Sequence, residues 1–86
     1  MSQFPMKLFI RSWCGWCQEA MQWLDSHGFR YEKVDIGLHP NARDEMIQIS
    51  HQPRVPTLVV EEKVLADFDI KQLETFLKQL KLWKGS

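Results

Sequence analysis

The chain has 86 residues, of which 44% are hydrophobic and 26% are charged, a composition typical of a globular protein. This length predicts one domain over residues 1–86, with a core that has little apolar surface to spare. Eleven acidic residues balance eleven basic ones, so no net charge favours binding to nucleic acid or to a membrane surface.

The location of the protein is predicted from what the chain does not contain. Its first residues show no charged segment followed by a long apolar core, so we expect no signal peptide. No apolar run approaches the ~20 residues that a membrane-spanning helix needs. Secreted chains this small usually carry more than one disulfide, whereas this chain has two cysteines. We therefore expect a cytoplasmic protein.

The first part of the chain predicts a strand, a helix and a second strand. The run from Met6 to Ile10 is apolar and of strand length. A helix is predicted after it, up to His27, with Gly28 as the left-handed residue that ends it. Its apolar positions are Trp16, Ala20, Trp23 and Leu24. The second strand is predicted over Tyr31 to Ile36, with Val34 and Ile36 on one face.

A second helix and a third strand follow. His39-Pro40 predicts the helix start, since proline is favoured at the first helical position. Pro53 prevents the helix from continuing, and residues 55–60 predict a strand with Pro56 near its beginning. The predicted inward face of the helix consists of Ala42, Met46 and Ile49.

The last part predicts a hairpin and a helix. Glu61 to Lys63 predicts a tight turn into a short strand at Val64-Leu65. The final helix carries a stripe of Ile70, Leu73, Phe76, Leu77 and Leu80. The order is β-α-β-α-β-β-α. A strand-helix-strand crossover implies that its two strands pair in parallel. The tight turn between the last two strands implies an antiparallel hairpin. We therefore expect an α/β fold with a four-stranded mixed sheet and helices on both faces.

Both cysteines lie in one pentapeptide, Trp13-Cys14-Gly15-Trp16-Cys17, between the first strand and the first helix. A C-x-x-C motif in this position is typical of thioredoxin-like redox proteins. A helix N-terminus carries roughly +0.5 charge and free amides, which favour a thiolate, and the thiolate is the nucleophile in disulfide exchange. We expect Cys14, nearer the helix start, to be the nucleophile and Cys17, one turn later and more buried, to be the resolving thiol.

The residues around the motif have two interpretations each. Arg11 adds positive charge beside the thiolate or is a solvated surface arginine. Trp13 and Trp16 form an apolar rim of the kind found around ligand grooves, or Trp16 belongs to the core.

Val55-Pro56 is the second predicted functional segment. A cis bond there would turn the backbone of Val55 toward an extended peptide, which it could hold by main-chain pairing. The alternative is a trans proline at the start of a strand.

Two non-catalytic interpretations of the cysteines are disfavoured. A zinc site needs four ligands, whereas a second cysteine pair is absent and His27, His39 and His51 are scattered. A structural disulfide that closed so short a loop would contribute little stability. We expect no metal site.

Together these features resemble the thioredoxin superfamily, and the length and element order match its glutaredoxin branch. The resemblance implies a thioredoxin-like fold and a thiol–disulfide oxidoreductase that acts by dithiol exchange, with glutathione as co-substrate and no tightly bound cofactor. It implies that Cys14 is the nucleophile and Cys17 the resolving cysteine, and that Pro56 is the family's cis-proline. Arg11 and Trp16 fall where the family has a glutathione-contacting lysine and the tyrosine of its C-P-Y-C motif.

The chain departs from the glutaredoxin pattern at several positions. Its motif is C-G-W-C, and Arg54-Val55-Pro56-Thr57 is more like thioredoxin, whose fold has an additional strand and helix at its start. Glutaredoxins carry a Gly-Gly-x-Asp signature before the last helix, but residues 65–69 here contain no glycine. We expect Asp67 to meet the ammonium group of the ligand and Asp69 to cap the helix.

Other functions remain open. Some glutaredoxins with glycine in place of the motif proline bind a [2Fe-2S] cluster, so Gly15 is compatible with a function as a cluster carrier. The side chain of Trp16 would crowd such a cluster. A phenylalanine at position 68 is similar to what is found in the glutaredoxin-like proteins that donate electrons to ribonucleotide reductase. Those proteins take their own electrons from thioredoxin reductase. A redox-inert binding module is disfavoured because both cysteines are present. The expected partners are disulfide-containing proteins and glutathione, and the expected state is a monomer.

Overall fold

The computed structural model describes residues 6–12, 14–61 and 63–80, and its elements follow the predicted order. They are β1 (Met6–Ile10), α1 (Gly15–Ser26), β2 (Glu32–Asp35), α2 (Pro40–Ser50), β3 (Thr57–Val60), β4 (Lys63–Ala66) and α3 (Ile70–Gln79). Compared with the predicted ranges, β2 and β3 are shorter and β4 is one residue longer at each end. Glu62, in the predicted turn before β4, lies outside the described residues. None of the helices within the described ranges has the length and apolar character needed to cross a membrane.

The four strands form one mixed sheet in the order β2-β1-β3-β4. β1 and β2 are parallel, as the crossover predicted, and Ile10 lies opposite Asp35. β3 is antiparallel to both β1 and β4. Because β1 and β2 run in the same direction, the segments that follow them start at the same edge of the sheet. The C-x-x-C motif follows β1, so the candidate site lies at this edge.

Alternation along β1 divides the core between the two faces of the sheet. One face packs against α1 and α3, and its buried residues include Met6, Leu8, Ile10, Leu24, Leu73 and Leu77. On the other face, Phe9 packs with Ile36 and with Met46 of α2, and Lys7 forms an ion pair with Glu45 at 3.0 Å. Helices therefore cover both faces, as predicted.

The buried face of α1 differs from the predicted stripe at its first position. Ala20 and Leu24 are buried and Trp23 is half-buried, but 60% of the surface of Trp16 is exposed. Cys17 completes the face instead, because its spacing to Ala20 and Leu24 keeps the three on one side of the helix. Of the two interpretations of Trp16, the structure supports the exposed position at the rim of the site and not the core position.

The prediction for α2 was wrong at one residue. Met46 is fully buried and Ala42 packs beside it, but Ile49 is 37% exposed. Ile47 packs against the sheet instead. The face that contacts the sheet is therefore rotated about the helix axis toward Ile47, and Ile49 falls at its margin.

Two predicted helix boundaries are confirmed. Gly28 has a φ of 77°, in the left-handed region, directly after the residue that ends α1. Asp69 caps α3: its side chain accepts the N–H of Gln72 at 2.8 Å, and the Gln72 side chain accepts the N–H of Asp69 at 3.1 Å. This capping box satisfies two amides that lack partners within the helix.

The cap makes a prediction about stability. Asp69→Ala should lower the free energy of unfolding by about 1 kcal/mol, because it removes the acceptor for the Gln72 amide. Asp69→Asn should stay within about 0.5 kcal/mol of the wild type, because its amide oxygen still accepts that hydrogen bond. Urea denaturation followed by circular dichroism measures both. Equal losses in the two variants would contradict the role given to the cap.

Candidate active site

Cys14 is the N-cap residue of α1, with extended backbone angles (φ −88°, ψ 117°). Its Sγ accepts the N–H of Cys17 at 3.3 Å, so the sulfur takes the place of the oxygen that usually caps a helix. Its own N–H donates to the carbonyl of Arg11 at 3.2 Å. The side chain is half-buried. The sulfur therefore meets the positive end of the helix and retains some exposure to solvent.

Cys17 is fully buried, as predicted for the inner cysteine. Burial is the main cause that raises the pKa of its thiol, and the hydrogen bond with the Cys14 side chain raises it further. The charge of Asp35 adds a smaller increase, while a backbone hydrogen bond from Arg11 acts in the opposite direction. The raised pKa keeps Cys17 protonated at neutral pH, and the two cysteines also differ in their access to solvent.

The Val55-Pro56 bond is cis, as predicted. Pro56 is buried directly before β3, and its carbonyl accepts the N–H of Asp67 at 2.9 Å. Val55 is half-buried and packs against the same core cluster as Cys14. Within the described parts of the chain, no residue forms a hydrogen bond with the main-chain groups of Val55.

Asp67 is paired with Arg54, a contact that was not predicted. Nη1 of Arg54 lies 3.2 Å from Oδ2 of Asp67, and both side chains are largely exposed. Asp67 has a φ of 54°, in the left-handed region that glycine adopts most easily. An exposed pair of this kind contributes little stability. Its importance is that it presents both signs of charge to solvent beside the cis-proline.

The other predicted site residues are placed as follows. Trp16 is exposed and lines a crevice with Phe68 and Asp69, at the start of α3. Arg11 is half-buried, and its guanidinium forms no ion pair with a residue that the structure describes. Trp13 lies outside the described residues.

The three histidines lie at separate places in the fold. His27 ends α1, while His39 and His51 lie at opposite ends of α2. Within residues 6–12, 14–61 and 63–80, no three His, Cys, Asp or Glu side chains form a group suited to a metal ion.

A contact between Ser12 and Asp35 was also missed by sequence reasoning. The Ser12 hydroxyl donates to Oδ2 of Asp35, the last residue of β2. Asp35 lies opposite Ile10, two residues before Ser12. The sequence did carry a signal for this contact. The parallel pairing predicted for the first two strands brings their C-terminal ends to one edge of the sheet, where Ser12 follows one strand and Asp35 ends the other.

The comparisons with known proteins agree with this geometry. The sequence model of the glutaredoxin family matches residues 6–65. The chain belongs to the glutaredoxin family. A glutaredoxin-like 8.6 kDa protein in the rubredoxin operon of Clostridium pasteurianum is 20% identical over 74 residues, which cover 86% of this chain and 99% of that protein.

Solved structures share the fold at lower sequence similarity. The glutaredoxin grx-1 from Archaeoglobus fulgidus has a TM-score of 0.78 at 18% identity, covering 87% of each chain. The buckwheat glutaredoxin–glutathione complex has a TM-score of 0.71 at 20% identity, covering 92% of this chain and 73% of that chain. NrdH-redoxin from Escherichia coli, a glutaredoxin-like protein with a thioredoxin-like activity profile, has a TM-score of 0.70 at 15% identity, covering 83% and 92%. Family membership and the adjacent cysteines support a thiol redox function.

The different environments of the two thiols predict unequal reactivity. At pH 7 we expect iodoacetamide to modify Cys14 at least about 100-fold faster than Cys17, because the thiolate is the reactive form and each unit of raised pKa removes roughly a factor of ten in thiolate. Mass spectrometry of the reduced protein after timed quenching gives both rates. In guanidinium chloride the two rates should converge. Equal rates in the folded protein would contradict the assignment.

Proposed function

We propose that this glutaredoxin is a dithiol oxidoreductase that reduces disulfides of proteins and mixed disulfides with glutathione. Cys14 is the nucleophile and Cys17 the resolving thiol. The expected setting is the cytoplasm, where a reducing environment keeps both cysteines as thiols, and the expected working form is a monomer.

The observation that carries the proposal is the difference between the two sulfurs. Sγ of Cys14 caps α1 and accepts an amide N–H at 3.3 Å, which favours its thiolate. Cys17 is buried one turn later, and burial raises the pKa of its thiol. The sulfur of Cys14 is thus suited to attack a substrate disulfide. The sulfur of Cys17 is suited to react only after Cys14 has formed a mixed disulfide.

The reaction follows from this arrangement. The Cys14 thiolate attacks one sulfur of the substrate disulfide and forms a mixed disulfide, and the other substrate sulfur leaves as a thiolate that takes a proton from solvent. Cys17 then loses its proton to solvent and attacks Sγ of Cys14. A bond forms between the two cysteines, and the second substrate thiol leaves. Two electrons have passed to the substrate, and two glutathione molecules restore the dithiol as they form glutathione disulfide.

Three features support a peptide-like substrate above Cys14. The main-chain groups of Val55 are available for pairing with an extended segment. Trp16 presents an apolar surface beside the nucleophile, and the half-buried Arg11 lies three residues before Cys14 as a cation for a carboxylate. These residues are our proposed substrate contacts together with Pro56 and Asp67.

Glutathione as the electron donor is supported by the Arg54–Asp67 pair. The γ-glutamyl end of glutathione carries an ammonium group and a carboxylate on one carbon. An exposed carboxylate 3.2 Å from a guanidinium offers both complementary charges. Asp67 would accept from the ammonium group and Arg54 would donate to the carboxylate. The likeness to a buckwheat glutaredoxin solved with glutathione agrees with this choice.

Two alternatives remain. Thioredoxin reductase is the rival electron donor, and it is favoured by the likeness to NrdH-redoxin and its thioredoxin-like activity profile. A [2Fe-2S] carrier would need a second copy of the chain, and the exposed Trp16 beside Cys14 would crowd the cluster. A visible absorption band after anaerobic reconstitution would favour the carrier.

Substitution of each cysteine tests the dithiol mechanism. Cys14→Ser should abolish both activities. Cys17→Ser should retain reduction of glutathione mixed disulfides, which glutathione can resolve, and lose reduction of protein disulfides such as those of insulin. Because Cys17 is fully buried, Cys17→Ala serves as a second variant that keeps the site apolar. Equal loss of both activities in folded Cys17 variants would overturn the assigned roles.

The electron donor is tested at Asp67. Asp67→Asn should raise the KM for glutathione roughly tenfold, the loss of one charge-assisted hydrogen bond, with kcat little changed. Asparagine tolerates the left-handed conformation of this position, so the backbone should be kept. The matched measurement is reduction by thioredoxin reductase and NADPH. If that enzyme reduces the wild type faster than glutathione does, and Asp67→Asn changes neither rate, thioredoxin reductase is the donor.

A further inference from the structure

The carboxylate of Asp35 is held from two sides. Oδ1 accepts the N–H of Gly37 at 2.8 Å, and Oδ2 accepts the hydroxyl of Ser12. Gly37 belongs to the loop between β2 and α2, whereas Ser12 belongs to the loop between β1 and α1. Asp35 therefore joins the two loops that leave the same edge of the sheet.

Ser12 lies two residues before Cys14, in a segment with several backbone contacts. The carbonyl of Ser12 accepts Nε2 of Gln18 at 3.2 Å, which ties the loop to the first turns of α1. The carbonyl of Arg11 accepts the N–H of Cys14 at 3.2 Å. The hydroxyl of Ser12 thus anchors this segment to Asp35 at the end of the neighbouring strand.

We propose that Asp35 is a positioning residue for thiol–disulfide exchange: through Ser12 it holds the loop that ends at Cys14, and it places a negative charge near Cys17. The proposal rests on the function proposed above, since exchange through the two cysteines is the reaction that Asp35 would serve. Attack on a disulfide requires alignment of the three sulfurs, so a nucleophile held in place reacts faster than one on a loose loop.

Asp35 is charged at neutral pH. The hydrogen bond from Ser12 is the main cause that lowers its pKa, and the N–H groups of Gly37 and Leu38 lower it further. The imidazole of His39, at the start of α2, also acts to lower the pKa of Asp35. The contact with Ser12 therefore both anchors the loop and keeps the carboxylate ionised.

This charge acts on the resolving thiol. Among the residues that the structure describes, Cys14 and Asp35 are the side chains whose negative charge disfavours a Cys17 thiolate, while a backbone hydrogen bond from Arg11 acts in the opposite direction. Cys17 therefore keeps its proton while Cys14 makes the first attack. When Cys14 has formed a mixed disulfide its charge is gone, and the charge of Asp35 is the one that still opposes deprotonation of Cys17.

An uncharged dipyridyl disulfide separates the two effects, because it releases one coloured thiopyridone at each step. The first release follows attack by Cys14 and depends on reagent concentration. The second follows attack by Cys17 on Sγ of Cys14 and does not. Stopped-flow absorbance at several pH values gives both rates for the wild type and each variant.

Two variants distinguish the charge from the anchor. In Asp35→Asn the amide oxygen can accept the Gly37 N–H while the amide NH₂ donates to Ser12, so the bridge remains and the charge is lost. Ser12→Ala removes the bridge and keeps the carboxylate. Ser12→Thr, which keeps a hydroxyl, is the matched control, and His39→Gln separates the contribution of the neighbouring imidazole.

We expect the variants to change the second step in opposite directions. Asp35→Asn should leave the first step unchanged and accelerate the second about twofold, since the charge of Asp35 is the smallest contribution to the raised pKa of Cys17 and the gain in thiolate is partly offset by lower nucleophilicity. Ser12→Ala should slow both steps, by roughly tenfold, and Ser12→Thr should restore them. In the wild type, ~1 M salt should accelerate the second step by screening Asp35, which tests the charge without a substitution.

Several outcomes would overturn the proposal. If Asp35→Asn slows both steps as Ser12→Ala does, and salt has no effect, Asp35 has only a structural role. If Ser12→Ala reacts like the wild type, the bridge does not position Cys14. A wild type that reduces neither insulin nor glutathione mixed disulfides would refute the proposed function instead, while the two release rates would still decide the role of Asp35.

Discussion

The hydrogen bond from the N–H of Cys17 to Sγ of Cys14 connects the fold to the chemistry. The first amides of any helix lack partners within it, and here a sulfur satisfies one of them. The contact therefore stabilises the start of α1 and at the same time stabilises negative charge on that sulfur. Because the atom that caps the helix is also the proposed nucleophile, the folding of the helix itself positions that sulfur.

The packing of α1 separates the two cysteines. Cys17, Ala20 and Leu24 form the face that the sheet and α3 bury, while Cys14 lies before the helix and is half-buried. A spacing of three residues places one sulfur at the boundary with solvent and the other in the core. The amphipathic pattern that makes α1 a helix of this fold is thus also the pattern that makes one cysteine accessible and the other protected.

Most features that depend on local sequence were predicted, as was the parallel pairing of β1 with β2, whereas side-chain contacts between distant residues were not. The start of α1 at the C-x-x-C motif, the left-handed Gly28 and the cap at Asp69 each follow from a few neighbouring residues. The rotation of α2 that exposes Ile49 depends on how the helix packs on the sheet, which its spacing alone does not determine.

The charged contacts were the hardest to predict. Residues that are far apart in the chain meet in the Arg54–Asp67 pair and in the bridge from Ser12 to Asp35, and a single sequence carries no direct signal of such pairs. The positive φ of Asp67 was also missed, because the glycine that usually indicates that conformation is absent.

In the proposed dithiol mechanism, the order of the two chemical steps has a physical cause in these placements. Burial makes a charged Cys17 unfavourable, so the resolving thiol cannot compete with Cys14 for an incoming disulfide. Once the mixed disulfide has formed, the electrophilic sulfur is Cys14 itself, one helical turn away, and the high effective concentration compensates for the small thiolate population of Cys17. A buried resolving thiol is thus slow toward external disulfides and still effective toward the one that its neighbour forms. In the role proposed for Asp35, its negative charge adds a smaller contribution to this selectivity, because it opposes a Cys17 thiolate at both stages.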